Sequence, residues 1–246
     1  TAFAAENPAE VFDRVMEKNN TIQSAEIQSG VHSVILAKDV IPDGQMKVDM
    51  AMHAEMDMQD TTDLKYLAQV ASSILGQDSY SQVFYTDGYY YVDANGVKLK
   101  YPMPLEQIIS SVQTGVNTSN MESSYMKGIS LNEVNGKRVL AYEANPKKLN
   151  KNVKEALGTV MNTLGTDINL DMNIQEMKGA YVLDDNDYII YMTNYIVYNM
   201  EVLDQPMTCI TLMETEVQNP GEPVVVTLPS TDGYEDLIGL YDGVIE

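Results

Sequence analysis

The sequence is short of the residues on which catalytic and metal sites are commonly built. A single cysteine, Cys209, excludes an intramolecular disulfide, and the two histidines, His32 and His53, leave little for a transition-metal site. Gly-x-Ser-x-Gly, phosphate-loop and His-Glu-x-x-His motifs are all missing. Cys209 lies in an apolar run with no histidine close in sequence, which favours a small buried hydrophobe over a nucleophile. We therefore expect a protein that is not an enzyme and that holds no cofactor and no metal.

Basic residues are also few, and their shortage sets the charge of the whole chain. Fifteen Lys and Arg stand against thirty-six Asp and Glu, which gives a net charge of −21. A chain this acidic repels phosphate backbones, so we expect no nucleic-acid partner. The acids alternate with apolar residues along most of the chain, a pattern typical of a solvated face. No apolar run reaches the roughly 18 residues that a transmembrane helix needs.

A long period-two pattern is the clearest structural signal in the sequence. Between Gln45 and Gln59, apolar residues occupy the even positions, and polar or charged residues occupy all but one of the odd ones. Successive side chains of a strand point to opposite faces, so the alternation predicts a long strand with one buried face. The apolar row consists of Met46, Val48, Met50, Met52, Ala54, Met56 and Met58.

Helical periodicity occurs at four places. Asn7 offers an N-cap and Pro8 a first-turn residue for a helix that continues to Lys18, with Val11 and Val15 on its apolar face. Apolar spacing predicts three further helices, over 62–75 with Gly76 as the C-cap, over 104–112 and over 146–164.

Turn residues divide the rest of the chain into strands. Asp87-Gly88 and Asn95-Gly96 supply the positive φ angles of tight hairpins, so residues 83–101 are predicted to form a three-stranded meander. Asn135-Gly136 predicts a further hairpin over 129–144. The other predicted strands are Ile22–Ala37, Ile168–Met177, Ala180–Leu183, Tyr188–Val202, Pro206–Val217 and Val224–Leu228.

Two features bear on the number of domains and on metal binding. The acidic run 184–187 is interpreted as a hairpin turn, because it lacks the glycine and the distal glutamate of a calcium loop. No linker rich in Pro, Gly or Ser interrupts the strand pattern, so we predict a single domain over 1–246.

The order of elements resembles a known family. The chain runs helix, long strand pair, helix, then a hairpin of the form Tyr85-x-Asp-Gly-Tyr-Tyr-Tyr-Val-x-x-Asn-Gly-x-Lys-x-Lys, and closes on Val226-Thr227-Leu228-Pro229. This order resembles the uncharacterised cell-envelope lipoproteins, of Gram-positive type, in the LolA/LprG-like superfamily. The resemblance covers nearly the whole chain, and the motifs that carry it are turn and strand signatures.

The resemblance implies a fold and a location. The fold is α+β: a strongly curved antiparallel sheet, an incomplete barrel of about ten or eleven strands, with helices packed across its concave face. The single LolA-like domain would be extracytoplasmic, secreted or tethered to the membrane through a lipidated cysteine upstream of the mature domain. That cysteine is not in this sequence, and Cys209 cannot replace it because it lies deep in a strand region. The start at Thr1, without an initiator Met, is expected to be processed or truncated.

The methionine-rich strand face and the resemblance together predict binding of a hydrophobic ligand such as a lipid or an acyl chain. Sixteen methionines are many, and methionine lines adaptable apolar surfaces. The predicted ligand-binding residues are Met46, Val48, Met50, Met52, Met56, Met58, Val11 and Val15. The alternative is that these methionines simply fill a core, because strand faces are buried with or without a ligand.

An alternative function is also open. The protein could be an envelope scaffold or a protein-interaction module with a filled core and no small-molecule ligand. A partner would then be an envelope protein, bound by the exposed face or an edge strand of the sheet. Sixteen tyrosines, clustered at 89–91 and spaced along 188–198, could also bind glycans or peptides, although tyrosine is a common half-buried strand residue.

Overall fold

A computed structural model describes residues 6–38, 41–60, 62–108, 121–151, 172–202 and 205–237. The strands are β1 Ser24–Leu36, β2 Gln45–Asp57, β3 Lys65–Ile74, β4 Gln77–Thr86, β5 Tyr89–Ala94, β6 Val97–Pro102, β7 Met126–Val134, β8 Lys137–Ala144, β9 Met172–Leu183, β10 Ile189–Val202, β11 Gln205–Gln218 and β12 Glu235–Asp236. They form one sheet in the order β12-β6-β5-β4-β3-β2-β1-β11-β10-β9-β8-β7. Among the described strands, β12 and β7 stand at the two ends, so the sheet is not closed. The predicted α+β class with an unclosed, mainly antiparallel sheet is confirmed, with twelve strands.

Helices are short in the described residues. The helix α1, Pro8–Asn19, begins where Asn7 Oδ1 accepts a hydrogen bond from the Ala9 N–H at 3.1 Å, which confirms the predicted cap. Residues 105–108 and 146–151 are helical and lie inside two of the predicted helices; the remainders, 109–112 and 152–164, fall outside the described residues. In the described ranges, no helix is both long and apolar enough to cross a membrane.

The chain divides into two compact units. The first comprises Thr1–Met16, Val31–Asp49 and Met121–Glu214, and the second comprises Glu17–Gly30, Met50–Asn120 and Thr215–Glu246. The strands β1, β2 and β11 each contribute residues to both units. The single domain over 1–246 stays a prediction.

The first unit is built around aromatic packing under α1. Phe12 is fully buried and meets the edge of Tyr142 at a ring-centroid distance of 5.8 Å, with Tyr181 at 6.1 Å. The Tyr142 hydroxyl donates a short hydrogen bond to Asn194 Oδ1. Burial raises the pKa of Tyr142 well above its usual value, and Tyr181 beside it raises it further. Gly179 lies between Tyr142 and Asn194 in the register of β8, β9 and β10, so its missing side chain leaves room for this bond.

The acidic run after β9 forms the predicted turn. Asp187 adopts a positive φ of 66° and binds two arginines: Arg14 Nε at 2.8 Å and Arg138 Nη2 at 2.6 Å. Burial alone would raise the pKa of Asp187, but the hydrogen bonds from these two arginines hold it below its usual value. The turn therefore ties α1 to the β8–β10 strands.

The single cysteine is buried. Cys209 is 3% exposed, with Sγ 3.8 Å from Met200 Sδ, which confirms its interpretation as a small buried hydrophobe.

The helix predicted over 62–75 is wrong, because β3 occupies this segment. Every residue from Tyr66 to Ile74 pairs antiparallel with β4, ending at Ile74 opposite Gln77. Leu75 and Gly76 have φ angles of 52° and 75°, as in a tight hairpin turn. A glycine with positive φ serves a helix C-cap and a hairpin turn equally well, so Gly76 could not distinguish the two structures.

The strand predicted over Val224–Leu228 is also wrong, because this segment has no regular secondary structure. Pro223 and Pro229 flank it, and neither carries the N–H that a ladder needs. The segment instead packs inside the second unit, as described below. The predicted strands Ile168–Met177 and Ala180–Leu183 are one strand, β9, from Met172 onward; residues 168–171 fall outside the described residues. The predicted β1, β2, β10 and β11 and both hairpins are confirmed.

We expect Gly179→Ala to lower the free energy of unfolding by about 2 kcal/mol or more. A Cβ at this position would overlap the Thr193 carbonyl oxygen and lie 2.8 Å from both Asn194 Oδ1 and Tyr142 Oη. Gly128→Ala in β7 is the matched control, because no heavy atom lies within 4 Å of its Cβ position. Urea unfolding of both variants checks this, and equal midpoints would contradict the packing around Tyr142.

Candidate functional site

A row of tyrosines crosses four neighbouring strands of the second unit. Tyr66 of β3 pairs with Tyr85 of β4, Tyr85 pairs with Tyr90 of β5, and Tyr90 pairs with Tyr101 of β6. Residues that pair directly across an antiparallel sheet point to the same face. The next row on that face is wholly apolar and consists of Ala68, Val83, Val92 and Leu99. We call this side of strands β2–β6 the tyrosine face.

The opposite side of the same strands is covered by the C-terminal part of the chain. Residues 224–234, here called the strap, place Val226 and Tyr234 in a buried cluster with Leu67, Phe84 and Tyr91. Phe84 stacks on Tyr91 with ring centroids 4.6 Å apart, and the Tyr234 ring meets both edge-on at 5.6 and 5.1 Å. The strap therefore fills one side of the sheet with aromatic packing and leaves the tyrosine face on the other side.

Contacts of β2 decide on which side the predicted methionine row lies. Glu55 Oε2 accepts a hydrogen bond at 3.2 Å from the backbone N–H of Thr227, which belongs to the strap. Gln59, two residues beyond the end of β2, donates to the Gly221 carbonyl at 3.1 Å, just before the strap. The odd residues at this end of β2 thus lie on the strap's side. Because side chains alternate along a strand, the even residues of β2 from Met50 to Met56 lie on the tyrosine face.

The even residues of β2 differ in how deeply they are buried. Met56 is 1% exposed, whereas Met50 and Met52 are 38% and 36% exposed; Met58, just beyond the strand, is 4% exposed. Met50, Met52 and Met56 share one face, so the buried part of the row continues directly into an accessible part. This gives the second unit an apolar surface that begins in its core.

The tyrosine face carries no side chain that is charged at neutral pH. From Met50 of β2 through β6, its residues are Met, Ala, Tyr, Val, Ser, Ile, Gln and Leu. The charged residues of the same stretch, from Met50 through β6, lie on the strap's side: Glu55, Asp57, Lys65, Asp78, Asp93, Lys98 and Lys100. Two of the lysines also lie over aromatic rings on that side. Lys98 Nζ is 5.3 Å from the ring centroid of Tyr234, and Lys100 Nζ is 5.3 Å from that of Tyr89.

The tyrosines of the row are shielded from water. Burial raises the pKa of Tyr66, Tyr85 and Tyr101 above the usual value. The pKa of Tyr90 is raised to about 12, chiefly by burial and further by Tyr66 and Tyr101. The rings of Tyr90 and Tyr101 are 5.5 Å apart. These phenols therefore stay protonated, and able to donate hydrogen bonds, at any physiological pH.

The predicted site residues fall into two groups. Val11 and Val15 are fully buried on α1 in the first unit, where Met46 and Val48 are half-buried. The second unit holds Met50, Met52 and Met56 on the tyrosine face, and Met58 just beyond the end of β2. Whether any of the eight binds a ligand stays a prediction. In the part of the chain that the structure describes, no cluster of three or more His, Cys, Asp or Glu side chains is placed to hold a metal ion.

The tyrosine row is not among the site residues predicted from the sequence, although part of it follows from the turns. The two-residue turns at 87–88 and 95–96 fix the register of β4, β5 and β6, and counting outward from them pairs Tyr85 with Tyr90 and Tyr90 with Tyr101. Tyr66 could not be placed, because its segment had been assigned to a helix.

The family of the chain is settled by comparison. Residues 7–229 match the family described as "Family of unknown function (DUF6612)". The chain belongs to this family. No curated protein is similar enough to match it. The predicted membership of an uncharacterised family is confirmed, and the placement in the LolA/LprG-like superfamily stays a prediction.

Three solved structures are similar to the chain at low identity. LprF from Mycobacterium bovis is 10% identical, with 91% of this chain and 97% of that chain covered and a TM-score of 0.37. The Mycobacterium tuberculosis lipoprotein LppX is 9% identical, with 90% and 100% covered and a TM-score of 0.38. A beta-barrel-like protein of the domain of unknown function DUF1849 from Brucella abortus is 11% identical, with 81% and 100% covered and a TM-score of 0.25.

Met56→Asp and Met52→Asp should differ in stability although both change the same strand face. A charge at Met56, which is 1% exposed, is left unpaired in the core and should cost several kcal/mol. A charge at Met52, which is 36% exposed, reaches water and should cost about 1 kcal/mol or less. Thermal unfolding of the two variants measures this. Equal losses of stability in the two variants would show that the methionine row of β2 is buried along its whole length.

Alkaline titration should reveal the shielded tyrosine. With the pKa of Tyr90 raised to about 12 in the folded state and about 10 when unfolded, the folded protein holds this proton more tightly. The stability contributed by protonated Tyr90 is complete below pH about 10 and is lost as pH rises towards 12. Ultraviolet difference titration should lose a component that titrates near pH 12 in Tyr90→Phe. A variant that loses a component near pH 10 instead would contradict the burial of this ring.

Proposed function

We propose that the tyrosine face binds a hydrophobic ligand such as a lipid or an acyl chain, and that the protein carries or senses it without catalysis. The observation that supports this most is the exposure of Met50 and Met52 on the same strand face as the buried Met56. Large apolar side chains continuous with a core, on a surface without charge, are typical of binding surfaces. Methionine side chains rearrange at low cost around ligands of varied shape.

The energetics of acyl-chain binding are favourable on such a face. Each buried CH₂ group contributes about 0.8 kcal/mol, so eight methylenes would contribute about 6 kcal/mol before the cost of association. The resemblance to cell-envelope lipoproteins supports an extracytoplasmic location for this binding, with tethering through a lipidated cysteine upstream of the sequence. The partner of the protein would then be a membrane lipid or a molecule derived from one.

The proposal is tested by titrating the protein with a fluorescent fatty acid. We expect saturable binding at micromolar probe, and Met52→Asp should weaken it about tenfold or more because the new carboxylate must lose water against the chain. Ala51→Asp is the matched control: its side chain is exposed at an odd position and lies on the other side of β2. Equal effects of the two variants, or no saturable binding by the unchanged protein, would reject the tyrosine face as the site.

A second candidate function is protein binding, favoured by exposed apolar residues at two hairpin ends. Ile74, Leu75 and Val97 are 41%, 68% and 61% exposed, and Tyr80 is 43% exposed. All four belong to the β3–β4 and β5–β6 hairpins of the second unit. Cross-linking in intact cells distinguishes the two candidate functions. A cross-linked complex with a partner protein that is lost in Leu75→Asp and kept in Met52→Asp would favour an interaction module.

A further inference from the structure

Three hydroxyl groups stand on the tyrosine face without a hydrogen-bond partner in the described part of the chain. Tyr85 of the row donates to the Met103 carbonyl at 3.2 Å. Within the described residues, no such bond is made by the hydroxyls of Tyr66, Tyr90 and Tyr101. The three side chains are half-buried. The rings of Tyr90 and Tyr101 are 5.5 Å apart, and Tyr66 and Tyr90 both pair with Tyr85, so the three phenols lie along one row. Partly buried donors of this kind gain most from an acceptor that a ligand supplies.

The charge pattern of the face limits what the ligand can be. The described strands place no Lys, Arg or His beside the three phenols, so an anionic head group would lose its water without gaining a counter-ion. They place no Asp or Glu there either, so a cationic head group would meet the same cost. An uncharged oxygen acceptor avoids both penalties.

We infer that Tyr66, Tyr90 and Tyr101 form a polar anchor on the tyrosine face, and that the ligand is an uncharged amphiphile of the acylglycerol type whose oxygens accept their hydrogen bonds. This inference rests on the proposed function, and it adds the class of the ligand and the residues that select it. The row extends from β3 to β6, three strand spacings or about 14 Å, which is long enough for a head group with several oxygens.

The ligand class is tested with three compounds that share one chain. Monodecanoylglycerol, decanoate and decyltrimethylammonium differ only in the charge and the oxygens of the head group, and each is used to displace the fluorescent fatty acid at neutral pH. We expect monodecanoylglycerol to bind about tenfold or more tightly than either ion. Equal or tighter binding of decanoate would overturn the inference.

The anchor is tested by removing single hydroxyls from the full chain. Tyr90→Phe keeps the ring and should weaken monodecanoylglycerol about fivefold to tenfold, while the affinity for decyltrimethylammonium, which offers no acceptor, should stay unchanged. Tyr89→Phe is the matched control, because Tyr89 precedes Tyr90 in β5 and its side chain lies on the strap's side. Tyr101→Phe gives an independent test at the neighbouring strand if Tyr90→Phe does not fold.

The outcomes separate the two proposals. If the decyl compounds bind, but Tyr90→Phe and Tyr101→Phe bind monodecanoylglycerol as tightly as Tyr89→Phe does, the polar anchor is wrong. The proposal that the tyrosine face binds a hydrophobic ligand is then unaffected. If neither the fluorescent fatty acid nor any decyl compound binds, the proposed function fails and the anchor fails with it.

Discussion

The register of three short strands is the constraint on which the candidate face depends. Asp87-Gly88 and Asn95-Gly96 each place two consecutive residues at positive φ, so each hairpin closes through a two-residue turn. The pairs Thr86 with Tyr89 and Ala94 with Val97 then fix every other pair in the meander. A slip of one residue would exchange the tyrosine row with the stacked aromatic rings beneath the strap. The side chains of β4, β5 and β6 on both faces are therefore assigned by two turns.

The two faces of these strands solve different physical problems. On the strap's side, charged residues stand at the margins of an aromatic cluster, and Lys98 and Lys100 lie over tyrosine rings. A chain with a net charge of −21 must keep its acids hydrated, and confining them to one side of the sheet achieves this. The other side is thereby left free of charge. Hydrogen-bonding capacity there comes from serine, glutamine and phenol groups, which tolerate partial burial at much lower cost than ions do.

The first unit shows how an apolar face is filled when a helix covers it. Phe12 and its neighbours on α1 are almost fully buried, and Gly179 leaves space for the bond between Tyr142 and Asn194. The ion pairs of Asp187 with Arg14 and Arg138 hold α1 in place. Val11 and Val15 accordingly belong to a packed core. The accessible methionines Met50 and Met52 belong to the second unit, which is why the proposed ligand face is located there.

The sequence by itself determined the features that depend on local geometry. The cap at Asn7, the alternation of β2 and the tight turns at 87–88, 95–96 and 135–136 follow from φ preferences and side-chain periodicity within a few residues, and these were predicted correctly. The pairing of Tyr85, Tyr90 and Tyr101 was also contained in the turns.

Only the tertiary structure decided which surfaces are covered. The 62–75 segment has helical spacing, yet pairing along β4 makes it a strand. The methionine row of β2 is uniform in sequence, but its exposure changes from 1% at Met56 to 36% at Met52. Its placement on the tyrosine face follows from the contact of Glu55 with Thr227, a residue 172 positions away. Burial depends on segments that are distant in the chain, so no local pattern specifies it.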